Sequence, residues 1–170
     1  MKMSFKTPIK KIIFLTFLVG FFSMNVLAQT IPLIKVTDLL KRIKSNNDTT
    51  YVVNFWATWC VPCVREMPNF EKVNEEFKNE KVKVLLVSIN FPKELDSLVI
   101  PYVKRKKIKS EVMLLNELDM DYFVPLVSPK WHYADIPATL FVNNKKDVYD
   151  FYQQEMTLDF LEQKIKALKN

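Results

Sequence analysis

Cys60 and Cys63 are the only thiols in a chain of 170 residues, and just two residues separate them in Trp59-Cys60-Val61-Pro62-Cys63. Such a pair serves one of three ends: half of a zinc site, a small structural bridge, or a dithiol that cycles between two redox states. Structural zinc needs four ligands, usually with a second Cys or His pair. None is present, because His132 is the only histidine, so no metal is expected. A bridge would gain little, since a disulfide stabilises by constraining the unfolded chain and a loop this short constrains very little. Redox exchange suits the spacing. A mixed disulfide formed at Cys60 lies within reach of Cys63 without large chain movement.

The pair sits where a strand-like run hands over to a helix-like pattern. Tyr51 to Trp56 reads as a buried strand, and Val64, Met67, Val73 and Phe77 mark the following helix, in which Pro68 predicts a kink. Before them, Val36, Leu39, Leu40 and Ile43 repeat at helical spacing until the polar stretch Ser45 to Thr50. After them comes a second apolar strand, Val82 to Ile89. Leu95, Leu98, Val99, Tyr102 and Val103 then give a helical face interrupted by Pro101. Glu111 to Leu115 is a short strand, Glu117 to Val127 a weaker helix, and Ser128 to Ile136 irregular. Pro137 precedes the strand Ala138 to Val142, and a turn at Asn143 to Lys146 leads into Val148 to Tyr152, predicting an antiparallel hairpin. Leu158, Leu161, Ile165 and Leu168 form a closing amphipathic helix, with Thr157 as its cap. This order predicts an α/β fold with a central mixed sheet flanked by helices on both faces.

The first 28 residues read as an export signal. Lys2, Lys6, Lys10 and Lys11 precede an uncharged run from Ile12 to Phe22, and Val26-Leu27-Ala28 has the small-residue character of a cleavage site. Residues 29–170 then form one domain, nearly half of the whole chain being hydrophobic. The alternative is an uncleaved membrane anchor, because Ile12 to Ala28 approaches the length of a spanning helix. No cysteine follows the apolar run, so a lipid-modified N-terminus is not expected there. The signal holds four of the 25 basic residues and none of the 19 acidic ones, leaving 21 against 19, a net charge of +2. Nucleic acid is therefore not an expected partner. Gly20 is the only glycine, which excludes glycine-rich phosphate loops from the mature chain. The run Lys104 to Lys107, with Lys109, reads as a solvated helix end that complements the helix dipole; the functional alternative is a dock for an acidic partner.

The run Val52-Val53-Asn54-Phe55-Trp56-Ala57-Thr58-Trp59-Cys60-Val61-Pro62-Cys63 resembles the active-site strand and turn of the thioredoxin superfamily. Glu66, the dipeptide Ile136-Pro137 before a strand, and an extra helix and strand at about 94–115 are similar to the exported TlpA/ResA-like thiol-disulfide oxidoreductases. The resemblance covers roughly residues 36 to 168. It implies a thioredoxin-like fold with Cys60 at the exposed start of the second helix, as nucleophile, and Cys63 deeper, as resolving thiol. A helix N-terminus would lower the pKa of that nucleophile. Pro137 would be the family's cis-proline, with the Ile136 backbone pairing to a substrate segment. Asn54 stands where thioredoxin has a buried aspartate, and Glu66 would take over its proton transfer.

The resemblance also implies an exported, periplasmic or otherwise extracytoplasmic protein, monomeric and without a cofactor. It would reduce disulfides in protein substrates, among them apocytochromes before haem attachment, and would depend on an electron donor or acceptor, membrane-bound or soluble. Trp59 at the rim and Pro62 between the cysteines join Ile136 and Pro137 as substrate-contacting positions, while Trp56 is core and His132 serves loop packing. Two other functions fit the same residues. One is a thiol peroxidase of the related peroxiredoxin class, and the other a non-catalytic thioredoxin-like module that captures an extended peptide at Ile136.

Overall fold

Seven consecutive buried residues, Thr50–Trp56, form β2, a strand well inside the sheet of a computed structural model that describes residues 30–169. The expected signal over 1–28 lies outside these residues. The other strands are β1 (Leu33–Ile34), β3 (Val82–Ser88), β4 (Glu111–Leu115), β5 (Ala138–Asn143) and β6 (Val148–Tyr152). They line up in the order β1-β4-β3-β2-β5-β6. β1, β4, β3 and β2 are parallel; β5 pairs antiparallel with β2, so that Asn54 faces Thr139, and β6 pairs antiparallel with β5. The helices are α1 (Val36–Ile43), α2 (Val61–Glu76), α3 (Ile100–Lys106), α4 (Met120–Val127) and α5 (Leu158–Lys169).

Side chains alternate between the faces of a strand, and two cores follow from that period. Val52 and Trp56 of β2, with Val84, Leu86 and Leu114, pack against α2, α3 and α5 through Met67, Phe70, Tyr102, Leu161 and Ile165. Val53 and Phe55, with Leu85, Val87 and Leu140, pack against α1 and α4 through Leu39, Ile43, Phe123 and Val127. Asn54 shares the parity of Val52 and Trp56, so it points toward α2. A mixed sheet covered by helices on both faces is the architecture the sequence predicts.

Several boundaries differ from expectation for local reasons. β1 has two residues, too few to display any periodicity. α4 begins at Met120 rather than Glu117, because Asp119 caps it by accepting the Tyr122 N–H at 3.0 Å, while Glu117 turns away to Val36 N–H and the Lys35 ammonium. Pro68 lies on the exposed side of α2, inside a helix that continues over sixteen residues. Pro101 does not break its segment either. A π-helical turn at Leu95–Val99 precedes α3 and pairs the Ile100 N–H with the Leu95 carbonyl, so the missing proline N–H falls in the first turn of α3, where it is least costly. Among the described residues no helix is long and apolar enough to cross a membrane.

Candidate active site

α2 starts at the cysteines. Cys60 is its N-cap, with extended backbone (φ −84°, ψ 101°); its carbonyl accepts the Val64 N–H at 3.0 Å and its Sγ accepts the Cys63 N–H at 3.2 Å. Pro62 occupies the first turn, where an N–H would have no helical partner. Cys60 and Cys63 are joined as a disulfide. An amide aimed at Sγ, together with the helix dipole, is the arrangement that stabilises a Cys60 thiolate once the bond is reduced.

The expected exposure of Cys60 needs correction. It is only 5% exposed, against none for Cys63, because the turn from the other side of the site lies over its sulfur. There the Ile136–Pro137 peptide is cis, and the Ile136 carbonyl oxygen stands 3.7 Å from Cys60 Sγ. The disulfide sulfur has no proton to donate; in the dithiol form the same contact would accept a weak S–H bond. Trp131 anchors the loop that delivers this turn. Its ring packs on Phe55 at 4.6 Å, and its Nε1–H donates to the Asp135 carbonyl at 2.9 Å. Tyr133 and Ala134 follow with positive φ (56° and 53°), a cost of backbone conformation accepted beside the site. His132 is exposed; its backbone N–H donates to Gln153 Oε1 and its carbonyl accepts from Gln153 Nε2, both at 3.0 Å. Around the cysteines, Trp59 is 59% exposed, Val61 is exposed and Pro62 half-buried.

Glu66, one helical turn beyond Cys63, is wholly buried. Its Oε1 accepts the Asn54 Nδ2–H at 2.8 Å and its Oε2 the Met156 N–H at 2.6 Å. Burial without a cation pushes the carboxyl up to about 7; the bonds from Met156 and Asn54 oppose that rise, and the charge of Glu155 adds to it. Asn54 also donates to Thr139 Oγ1 at 3.2 Å, its cross-strand neighbour, while its own Oδ1 is buried without a partner. The segment above Glu66 is tied to α2 twice more. Arg65 grips Glu155 through two bonds (2.7 and 2.5 Å), and Asn69 donates to the Met156 carbonyl at 2.9 Å.

The structure thus gathers Cys60, Cys63, Glu66, Ile136 and Pro137 in one region, with Trp59 and Pro62 flanking the disulfide. It also contains a residue the sequence did not single out. Asn90 is buried just after β3, and its Oδ1 accepts the Thr58 N–H (2.9 Å) and the Ser88 hydroxyl (3.0 Å), while its Nδ2 donates to Thr58 Oγ1 and Glu94 Oε2 (both 2.9 Å). One amide therefore locks the turn that precedes Cys60 onto the start of the inserted helix. The only sequence signal was the pair of polar residues, Ser88 and Asn90, at the end of an apolar strand.

Comparison with known proteins agrees with this geometry. The AhpC/TSA family model matches residues 28–153. The thiol-disulfide oxidoreductase ResA of Halalkalibacterium halodurans is 28% identical over 120 residues, covering 69% of this chain and 61% of that protein. The sporulation thiol-disulfide oxidoreductase A of Bacillus subtilis is 21% identical, with 69% of this chain and 70% of that protein covered. This chain therefore spans about three fifths of the first relative's length. A thioredoxin-related protein from Neisseria meningitidis serogroup B has the same fold, with a TM-score of 0.62 at 19% identity over 74% of this chain and 89% of that one. The match of the family model across most of the chain, on a thioredoxin-like sheet with its cysteines at the head of α2, shows that the protein belongs to the AhpC/TSA family.

Proposed function

We propose that the protein is an extracytoplasmic thiol-disulfide oxidoreductase that reduces disulfides in other proteins. The observation that carries this is the Cys60–Cys63 disulfide at the N-terminus of α2, one turn before a wholly buried Glu66 carboxyl. Relatives named as thiol-disulfide oxidoreductases support the same reading.

The reduced protein starts the cycle. Cys60 thiolate, favoured by the Cys63 N–H, attacks one sulfur of a substrate disulfide; a mixed disulfide forms and one substrate thiolate leaves. Glu66 carboxylate takes the Cys63 proton. Cys63 thiolate then attacks Cys60 Sγ, the second substrate thiolate leaves, and the Cys60–Cys63 disulfide remains, two electrons having passed to the substrate. Each substrate thiolate gains a proton, one of them from the carboxyl of Glu66 or from water. An external dithiol reductant restores the pair. Asn54 suits the proton step because half a turn of its amide presents the unpartnered Oδ1 to a protonated Glu66, so both charge states of the carboxyl find a partner. Ile136 and Pro137 hold the substrate segment across from Cys60, and Trp59 and Pro62 form its rim.

Turnover of insulin and of hydrogen peroxide by the same preparation tests the assignment. Insulin reduction with dithiothreitol should proceed well above the rate of dithiothreitol alone, and Cys60→Ser should remove the excess. Faster consumption of peroxide than of insulin would instead favour the peroxidase alternative.

A further inference from the structure

The basic run at the end of α3 is not used by the exchange chemistry, and helix-dipole complementarity accounts for its position but not for its surroundings. Arg105 and Lys106 line the same surface groove as Trp59 of the active-site turn, a concavity of about 560 Å3 walled by Leu98, Pro101 and Tyr102. Trp59 and Leu98 stand 59% and 44% exposed there, more apolar surface than a solvated turn requires. The Arg105 guanidinium lies over the Tyr102 ring, 5.6 Å from its centre, which fixes the cation at the groove wall.

Among the described residues, no carboxylate forms an ion pair with Lys104, Arg105, Lys106 or Lys107. Glu71, which lines a neighbouring hollow together with Lys106, spends both oxygens on the backbone N–H groups of Lys109 and Ser110 (2.6 and 3.0 Å). The groove therefore joins an apolar end at the residue preceding Cys60 to a cationic end that has no carboxylate partner among the described residues.

We propose that this groove docks a polypeptide segment of the disulfide-bearing substrate, an apolar side chain resting on Trp59 and Leu98 and a carboxylate meeting Arg105 and Lys106. The proposal rests on the exchange function above and names the sequence character of its substrates. A concave surface opening beside Cys60 suits an extended chain, whereas a lipid surface would require these side chains on a projecting face.

The test uses purified full-length protein, reduced, and two peptide disulfides that differ only in carrying Glu or Gln near one cysteine, with bis(2-hydroxyethyl) disulfide as a small reference substrate. Wild-type protein should react with the acidic peptide about tenfold faster than with the neutral one at low salt, and the preference should fade at about 0.5 M salt. Arg105→Glu with Lys106→Glu should bring the acidic-to-neutral ratio to one or below, and the milder pair Arg105→Gln with Lys106→Gln should give an intermediate ratio. Equal rates for the two peptides in the wild type overturn the proposal. So does a persistent ratio in the charge-reversed protein. Absence of reaction even with the reference disulfide overturns the exchange function itself, and the docking proposal with it.

Discussion

Burial without an ionic partner separates Glu66 from the other shifted carboxylates of this protein. Glu111 is held below its usual range by the guanidinium of Arg42, and Glu155 by that of Arg65, whereas Glu66 receives two N–H bonds but no cation and rises to about 7. A base of that pKa is half charged near neutrality, which suits reversible proton exchange with a thiol one helical turn away. The carboxylate is the form that accepts a proton. The resolving step should therefore accelerate as pH rises through about 7 and level off above it. Glu66→Gln should remove that inflection and slow resolution about 100-fold at neutral pH, leaving a rise set by the thiol alone. Stopped-flow rates of the second step across pH check this, and an unchanged profile would leave Glu66 as a structural residue only.

At the scale of elements, α3 ends in a way that suits a glycine but uses a lysine. Lys107 sits in the left-handed region (φ 54°, ψ 40°), and Ile108 N–H returns to the Val103 carbonyl at 3.1 Å, with both apolar side chains buried in one core. Lys107→Gly should stabilise the protein by about 0.5 to 1 kcal/mol, read as a higher urea midpoint with an unchanged slope. Much of the element order was legible because its signals were periodic: the apolar run before Cys60, the hairpin around Asn143 to Lys146, and the closing helix. The apposition of Cys60 with Ile136-Pro137 came from family resemblance, since a bare proline says nothing of its partner across the site. Asn90 was not legible. Its partner Thr58 is 32 residues away, and a single amide in an aperiodic stretch carries no pattern. The π-helical turn before Pro101 escaped notice for a similar reason: proline marks a missing N–H but not how the chain absorbs it.

For the whole molecule, the parallel strands β2 and β3 bring their carboxyl ends together, so Trp56 leads to the cysteines and Ser88 leads to Asn90 at the same edge of the sheet. The core that supports this edge includes Glu66, and stability should report its charge. Its folded pKa lies above its ordinary value of 4.5, so the folded state binds the proton more tightly. The associated stability is present below the ordinary value and is lost as pH rises through about 7, a change of about 3 kcal/mol at most. Asp48, Glu75, Glu111 and Glu155 shift the opposite way, and their contributions are lost only toward acid pH. Urea unfolding of the oxidised protein between about pH 5 and 7.5 should show the decline in the wild type and its loss in Glu66→Gln. The proposed function rests on covalent exchange at Cys60, resolved by Cys63, and trapping tests it most directly. Cys63→Ser protein, reduced and mixed with a disulfide-bonded protein, should accumulate a mixed disulfide visible on non-reducing gels and mapped to Cys60 by mass spectrometry. No adduct, or an adduct that forms equally in a Cys60→Ser, Cys63→Ser double variant, would contradict it.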